Sequence, residues 1–377
     1  MNLRRVRAVA FKELIQIKRD PRSLTLSIGI PVFLLLLFGY GLSLDIDHVR
    51  TVVWNQDASS ELTRNFLDNF RCSKYFRIVK YTDNYREIEE MINKGKVLMA
   101  IVIPKHFSQY LRSGEAAPLQ LIIDGSDANT ATISRGYVQT VVASYNIRLL
   151  TTALQARGLA PARSLDARGR IWFNMGLTST WFIVPGVISM IIMVIAALVT
   201  STCIAREWER GTMEQLISTP VKAPELIAGK FIPYFAIGFF DLVVGVIMAR
   251  VLFHVPFRGS YLLLVLLSAL FLTAALSQGI LISIVARTQI MASQIASLTT
   301  MIPSVILSGF IYPIFNMPQA LQVVTYFIPA KYYIVILRDL FLKGGGIAVI
   351  WDDGLFLLLF GWMMLGLSVK KFRKKVA

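Results

Sequence analysis

Apolar stretches long enough to cross a bilayer recur along the chain, and short charged segments separate them. Residues 171–205 contain no Asp, Glu, Lys or Arg, and neither do residues 288–330. A membrane-spanning helix needs about 20 consecutive apolar residues. The pattern therefore predicts an α-helical polytopic membrane protein with six transmembrane helices, at residues 23–44, 181–204, 231–249, 259–286, within 288–330 and at 354–369.

The stretch at 288–330 is longer than one crossing needs, since as a helix it would measure about 65 Å, twice the hydrocarbon thickness. Two crossings would put the basic tails of the chain on opposite sides of the membrane, against the cytoplasmic bias of Lys and Arg. We therefore predict one crossing followed by an outer re-entrant segment at 308–332, with both termini cytoplasmic. Prolines that break helices support this turn, at Pro303, Pro313, Pro318 and Pro329.

The segment between the first two apolar stretches has the character of a water-soluble domain. Apolar, β-rich runs alternate there with helical periods, and a long helix at 131–157 leads back to the membrane. Strands are predicted at 51–56, 76–81, 97–104 and 119–124. Residues 45–175 are thus predicted to form an extracytoplasmic α/β domain inserted between transmembrane helices 1 and 2.

Composition and charge agree with a membrane protein and argue against a nucleic-acid partner. The chain has 377 residues, of which 55% are hydrophobic and 16% charged, and its net charge is +16. Residues 1–22 and 370–377 each carry +5, beside apolar helices, as expected for charges that orient a membrane protein. Cys72 and Cys203 fall on opposite sides of the predicted membrane, which excludes a disulfide between them.

Two cytoplasmic segments are predicted to form amphipathic helices. Residues 1–22 contain "VRAVAFKELIQIKRDPRSL", with an apolar stripe on one face and Lys12, Glu13, Lys18 and Arg19 on the other, before a break at Asp20-Pro21. "AREWERGTMEQLISTPV", at 205–221, predicts a rigid helix over 206–218 with exposed acids and an Arg210–Glu214 pair. Such a helix suits a protein-binding knob, although an interfacial loop that only turns the chain is the alternative.

These motifs carry a resemblance to a known family. The stretches are "FKELIQIKRDP" before the first span, "AREWERGTMEQLISTPV" after the second, and "ILSGFIYPIFNMP" with "YFIPAKYYI" before the last. Together with the inserted domain, they make the chain resemble an ABC-2 type transporter permease. This is the membrane subunit of an ATP-binding-cassette exporter, of the multidrug-exporter-like subgroup with a large extracytoplasmic domain.

The resemblance implies roles for three groups of residues. The helix at 206–218 would dock on a separate ATPase subunit and couple it to the membrane, through Arg206, Glu207, Glu209, Arg210, Gly211, Thr212 and Glu214. Residues 1–22 would form a connecting helix that touches the same subunit, with Lys12, Glu13, Arg19 and Asp20. The re-entrant segment would cap the exit of the pathway, with Pro303, Ser308, Gly309, Pro313 and Pro329.

No nucleotide-binding motif of the form G-x-x-x-x-G-K-[ST] occurs in the sequence, so ATP and Mg²⁺ are expected on the partner ATPase and no cofactor on this chain. No metal site is expected either, because Asp45, Asp47 and His48 have no further His or Cys cluster to support one. The expected location is the bacterial inner membrane. Expected partners are ABC ATPase subunits, an identical or similar permease, membrane lipids and, as an open question, a periplasmic adaptor.

The function that this resemblance implies is export of a hydrophobic or amphipathic molecule, in a chain that is not itself an enzyme. A membrane receptor with a ligand-binding external domain is the alternative. An intramembrane enzyme is disfavoured, because the predicted spans contain neither paired carboxylates nor a nucleophile pair. Asp241 inside span three is expected to face protein or a cavity, with a structural partner such as a helix-capping or interhelical hydrogen bond favoured over a substrate contact. Arg338 and Asp339 are expected to form a solvated pair near the outer face.

Overall fold

A computed structural model describes residues 2–41, 48–156, 172–174 and 178–372. The chain divides into two compact units. The helical unit comprises Met1–Ser43 with Ile171–Ala377, and the sheet unit comprises Leu44–Arg170. Asp45 and Asp47, two of the three residues considered for a metal site, lie outside the described residues.

The helical unit begins with two helices that meet at Asp20. Helix α1 covers Leu3–Arg19, and the Asn2 side chain caps it by accepting a hydrogen bond from the backbone N–H of Arg4. Helix α2 covers Pro21–Gly41. The helix break expected at Asp20-Pro21 is present, since proline fits the first position of a helix and not its interior.

Four long helices form the body of this unit: α7 (Ser179–Glu209), α9 (Ala223–Val251), α10 (Tyr261–Ala286) and α14 (Ile347–Lys371). With Gln289–Leu307, they give five helices among the described residues that are long and apolar enough to cross a membrane. The shorter apolar helix Ser27–Gly41 adds to these. A predominantly helical chain with such helices is a polytopic membrane protein.

The stretch predicted to cross once and turn back is broken into short pieces. Helix α11 (Gln289–Ala296) continues as two wide π-helical stretches, Ser297–Met301 and Pro303–Leu307. Pro303 has no N–H to donate, so the regular helical hydrogen-bond pattern cannot pass through it. The helix ends next to Gly309, whose φ of 79° lies in the left-handed region that favours glycine.

After this turn the chain forms a 3₁₀ turn (Ile314–Asn316), helix α12 (Gln319–Thr325), helix α13 (Pro329–Arg338), and a π-helical stretch (Asp339–Lys343). The axes on either side of the break between Thr325 and Pro329 differ by 79°. Such a bend is typical of a broken span or a re-entrant loop, and it lies inside the segment 308–332.

Helix α7 is the centre of the helical unit, since most of its length is buried on all sides. Glycines let neighbouring elements approach it closely. A Cβ atom at Gly279 of α10 would lie 2.5 Å from the carbonyl oxygen of Ala197, closer than real atoms approach. Gly186 on α7 likewise leaves room for the buried ring of Phe310.

The sheet unit contains a four-stranded sheet in the order β2-β1-β3-β4. Its strands are β1 (Val49–Asn55), β2 (Phe76–Tyr81), β3 (Met99–Ile103) and β4 (Gln120–Ile123). Strand β1 is parallel to β2 and β3, and β4 is antiparallel to β3. Each predicted strand overlaps an observed one, because the apolar, β-branched runs there are short and bounded by turn residues.

Helices cover both faces of this sheet: α3 (Glu61–Arg71), α4 (Tyr85–Asn93), α5 (Phe107–Ser113) and α6 (Ala128–Ala156). One core contains Phe66, Phe70 and Phe107 with Tyr145 of α6, and the other contains Ile88 of α4. Asp57 is buried beneath α5, where its carboxylate accepts hydrogen bonds from the Ser108 backbone N–H (2.8 Å) and the Thr63 hydroxyl (3.1 Å). Although burial alone would raise the pKa of Asp57, these hydrogen bonds lower it.

Candidate functional site

The helix predicted over residues 206–218 is two separate pieces in the structure. Residues 206–209 complete α7, and a short helix, α8, follows at Thr212–Ser218. Gly211 separates them with a φ of 71°, a left-handed conformation that ends a helix. The charged segment is therefore an elbow at the end of a long helix, and not a single rigid helix.

Four charged side chains meet beside this elbow: those of Glu13, Glu207 and Lys230 are buried, and the exposed Lys12 reaches them from the surface. Lys230 of α9 is 1% exposed, and its Nζ donates hydrogen bonds to the Glu13 carboxylate, to Glu207 Oε1 (3.2 Å) and to the Cys203 carbonyl (3.2 Å). Lys12 Nζ lies 2.6 Å from the same Glu207 oxygen. We call Lys12, Glu13, Glu207 and Lys230 the buried charge cluster.

The buried charge cluster is electrically balanced, with two positive and two negative side chains. Glu13 and Glu207 are 2% and 3% exposed, so each carboxylate depends on the lysines for the interactions that water would otherwise supply. The Thr212 hydroxyl also donates to Glu207. The cluster thus joins α1, the end of α7, the start of α8 and the base of α9 through one set of charged hydrogen bonds.

The sequence-based prediction was wrong for two of these residues and did not include a third. Glu13 lies on the buried face of α1 and not on the solvated face, while Phe11 and Leu14 are exposed. Glu207 is a buried partner of the lysines and not an exposed acid. Lys230 was not singled out, although one signal was available: a lone lysine at the start of a long apolar run needs an acidic partner.

A second set of contacts ties the elbow to the start of α11. Glu209 Oε2 accepts hydrogen bonds from the backbone N–H (3.1 Å) and the side-chain amide (2.9 Å) of Gln289. Arg206 donates from Nε to Gln289 Oε1 (3.2 Å) and pairs with Asp20 at 3.6 Å. Movement of the elbow would therefore reach both the α1–α2 junction and the helix that begins at Gln289.

The start of α1 is fixed to the start of α9. The Asn2 N–H donates to Glu225 Oε1 (2.7 Å), and Arg5 donates to the Pro220 carbonyl (2.7 Å) and pairs with Glu225. At Gly229, a Cβ atom would lie 2.6 Å from Val9 Cβ, so the two helices touch where α9 has no side chain.

Replacing Gly229 with leucine should push α1 away from α9, because no atom can occupy that space without moving Val9 or the α1 backbone. We expect faster hydrogen–deuterium exchange in residues 3–19, measured by mass spectrometry on the full chain in detergent. Gly366→Leu is the matched control, since a Cβ there meets nothing within 4 Å. Equal exchange in both variants would show that the α1–α9 contact is not tight.

The solvent-exposed face of the elbow takes no part in these contacts. Met213 is buried and anchors α8, whereas Arg210, Gly211 and Glu214 are exposed, as is Arg19 at the end of α1. Among the described residues, no ion pair joins Arg210 to Glu214, so the pair expected from their spacing is not formed. The exposed face thus offers groups of both signs to a partner.

Comparison with known proteins decides the family. Residues 21–370 match the family described as "ABC-2 family transporter protein". The chain belongs to the ABC-2 transporter family. It is 37% identical over 377 residues to "Probable multidrug ABC transporter permease YbhS" of Escherichia coli (strain K12), covering 100% of this chain and 98% of that protein. It is 30% identical to "Probable multidrug ABC transporter permease YbhR" of the same organism, covering 97% of each chain.

Membership of the ABC-2 family makes this chain a multi-pass membrane permease and implies an ATP-binding partner. It agrees with the absence of a phosphate-binding motif in the sequence. A more distant relative is "Inner membrane transport permease YhhJ" of Escherichia coli (strain K12), 28% identical over 77% of this chain and 76% of its own length.

In this ABC-2 permease, the residues predicted for the exit gate lie around the turn at Gly309. Ser308 is buried, and its hydroxyl donates to the Ser304 carbonyl. Pro303 begins the second π-helical stretch, Pro313 precedes the 3₁₀ turn, and Pro329 begins α13. These residues determine the path of the backbone, and none of them carries a charge.

The pair Arg338–Asp339 of the permease is not solvated, contrary to expectation. Asp339 is 2% exposed and lies 3.8 Å from Lys343. Arg338 donates to the Gly309 carbonyl (3.4 Å), and its guanidinium carbon lies 3.5 Å from the centre of the Phe182 ring. Arg338 therefore helps to hold the turn at Gly309 against α7, where a cation over an aromatic face is stabilising.

The permease also contains a large apolar cavity in its helical unit. Its volume is about 730 Å³, within the range of small-molecule sites. Side chains from α2, α7, α9 and the helix Gln289–Leu307 line it, among them Leu34, Phe38, Ile195, Ile237 and Val305. Arg206 of the elbow contributes to the same wall, so the cavity borders the elbow between α7 and α8.

Proposed function

We propose that the chain is the permease subunit of an ABC exporter that moves a hydrophobic or amphipathic molecule out of the cytoplasm or the inner leaflet. A separate nucleotide-binding subunit hydrolyses the ATP. The buried charge cluster is the observation that carries this proposal, because it ties the elbow between α7 and α8 to α1 and α9. A loop that merely turned the chain would not need three buried charged side chains, Glu13, Glu207 and Lys230.

The mechanism follows from these contacts. The exposed face of α8, with Glu214, docks on the ATPase, and closure of that subunit on ATP displaces the elbow. The displacement passes through Glu207 and Lys230 to α1 and α9, and through Glu209 and Gln289 to the start of α11. The ligand of the ATPase thereby changes the relative free energies of two arrangements of the membrane helices.

The large apolar cavity is the proposed path of the cargo. Its lining helices include those that the coupling contacts reach, so a shift of the elbow would change its shape. The word "multidrug" in the names of two relatives supports a drug-like apolar or amphipathic cargo. The segment 308–332 would then control release at the outer face.

We further propose six spans with both termini cytoplasmic, in a bacterial inner membrane, and place the sheet unit outside. Helix α2 supplies the first span and Gln289–Leu307 the fifth. Two such permeases, identical or similar, would pair to enclose the path, and the sheet unit could offer a surface to a periplasmic adaptor. ATP and Mg²⁺ would remain on the ATPase subunits.

Co-expression with an ABC ATPase encoded beside this chain tests the proposal. We expect the ATPase to co-purify with the permease and to hydrolyse ATP faster in the complex than alone, while the permease alone hydrolyses none. Failure of the two proteins to associate in detergent and in native membranes would contradict the exporter. It would favour the alternative of a receptor whose sheet unit binds a ligand.

A further inference from the structure

One acidic side chain within the membrane helices has no part in the coupling mechanism. Asp241 of α9 is 7% exposed, and its Oδ1 atom is buried without a hydrogen-bond partner among the described residues. The interhelical hydrogen bond expected from the sequence is therefore not formed by this oxygen. A buried polar atom without a partner destabilises a protein, which suggests that something else completes the site.

Two small cavities adjoin Asp241. Each has a volume of about 20 Å³, room for a group the size of one water molecule. Pro31 of α2 and Ile192 of α7 line both. Apart from Asp241, the described residues that line them include no charged side chain, so no cation of the protein faces this carboxylate there.

The second of these small cavities borders the large apolar cavity. The two share five lining residues, Ser27, Ile195, Val199, Tyr234 and Ile237. A molecule with a small polar end and an apolar body could therefore place its end beside Asp241 and its body in the 730 Å³ cavity. An amphipathic shape is what this combined space accommodates.

We propose that Asp241 binds the ammonium group of lipophilic amines, while their hydrocarbon body lies in the large apolar cavity. This inference rests on the proposed exporter function and names its substrate class. An ammonium group is close in size to a water molecule and donates charge-assisted hydrogen bonds to a carboxylate. In apolar surroundings the attraction between the two ions is screened less than in water and is therefore stronger.

The test uses the complex with its ATPase in lipid nanodiscs. Dodecylammonium and its uncharged analogue N-acetyldodecylamine are the probes, and the reading is the concentration that half-maximally stimulates ATP hydrolysis. We expect wild type to respond to dodecylammonium at a concentration about tenfold or more below that of the analogue. Asp241→Asn should remove this preference, and Asp241→Glu should retain it.

Asp352→Asn is the matched control, because Asp352 is exposed on α14 and lines none of the three cavities. It should keep the wild-type preference. The melting temperature of the Asp241→Asn variant should be no lower than that of wild type, since the substitution removes a buried carboxylate oxygen without a hydrogen-bond partner and breaks no structural contact. A lower melting temperature together with an unchanged preference would assign Asp241 a structural role and overturn the inference.

The outcomes also separate this inference from the proposed function. Suppose that ATP hydrolysis depends on the permease but wild type responds equally to the two probes, or responds to neither. Asp241 then does not select amines, and only the inference fails. If hydrolysis is indifferent to the permease, the exporter itself fails.

Discussion

Replacing Lys230 with methionine should strongly destabilise the protein. The substitution keeps most of the side-chain volume but removes the cation between Glu13 and Glu207, both of which are buried. Loss of one member of a buried charged pair costs about 3–5 kcal/mol. We expect a lower midpoint of thermal unfolding in detergent and little coupled ATP hydrolysis. Lys222→Met, at an exposed position before α9, should leave the midpoint unchanged.

A second substitution makes this expectation specific to the charge. In Lys230→Met with Glu13→Gln, one positive and one negative charge are removed, and the Lys12–Glu207 pair at 2.6 Å stays intact. The double variant should therefore unfold at a higher temperature than Lys230→Met alone. If the loss of stability in the double variant equals the sum of the losses in the two single variants, Lys230 contributes through packing and not through its charge.

The apolar helices and the strands were predictable because their signals are local. Absence of charge over 20 or more residues, or a short apolar run between turn residues, decides each element without knowledge of its neighbours. The turn at Gly309 was signalled by the prolines around it. The break at Gly211 was missed, although a glycine after a charged helical turn is a common helix end, because the charges continue on both sides of it.

The partners in the site were not predictable from the pattern. Glu13 and Lys230 are separated by 217 positions, and no periodicity relates them. Amphipathicity placed Glu13 with the solvated residues of α1, since a carboxylate usually faces water. Glu13 is buried because α1 packs against α9 at Gly229, where Lys230 supplies its partner. Asp241 was recognised as costly in a span, but the absence of a partner for its Oδ1 required the structure.

Charge reversal at Glu214 should uncouple the ATPase without unfolding the permease. Glu214 is exposed on α8, so Glu214→Lys breaks no buried contact and should leave the free energy of unfolding within about 0.5 kcal/mol of wild type. A reversed charge that meets a like charge across an interface weakens binding by several kcal/mol, on the order of the cost of like-charge juxtaposition. Glu90→Lys, on the exposed face of α4 in the sheet unit, is the matched control.

We propose that work from the ATPase enters the permease at α8, and the sharpest test is the stimulated rate of ATP hydrolysis in reconstituted complexes. We expect Glu214→Lys to lower this rate by about tenfold or more, while the Glu90→Lys and wild-type complexes hydrolyse ATP equally fast. A Glu214→Lys complex that assembles and hydrolyses ATP at the wild-type rate would contradict it.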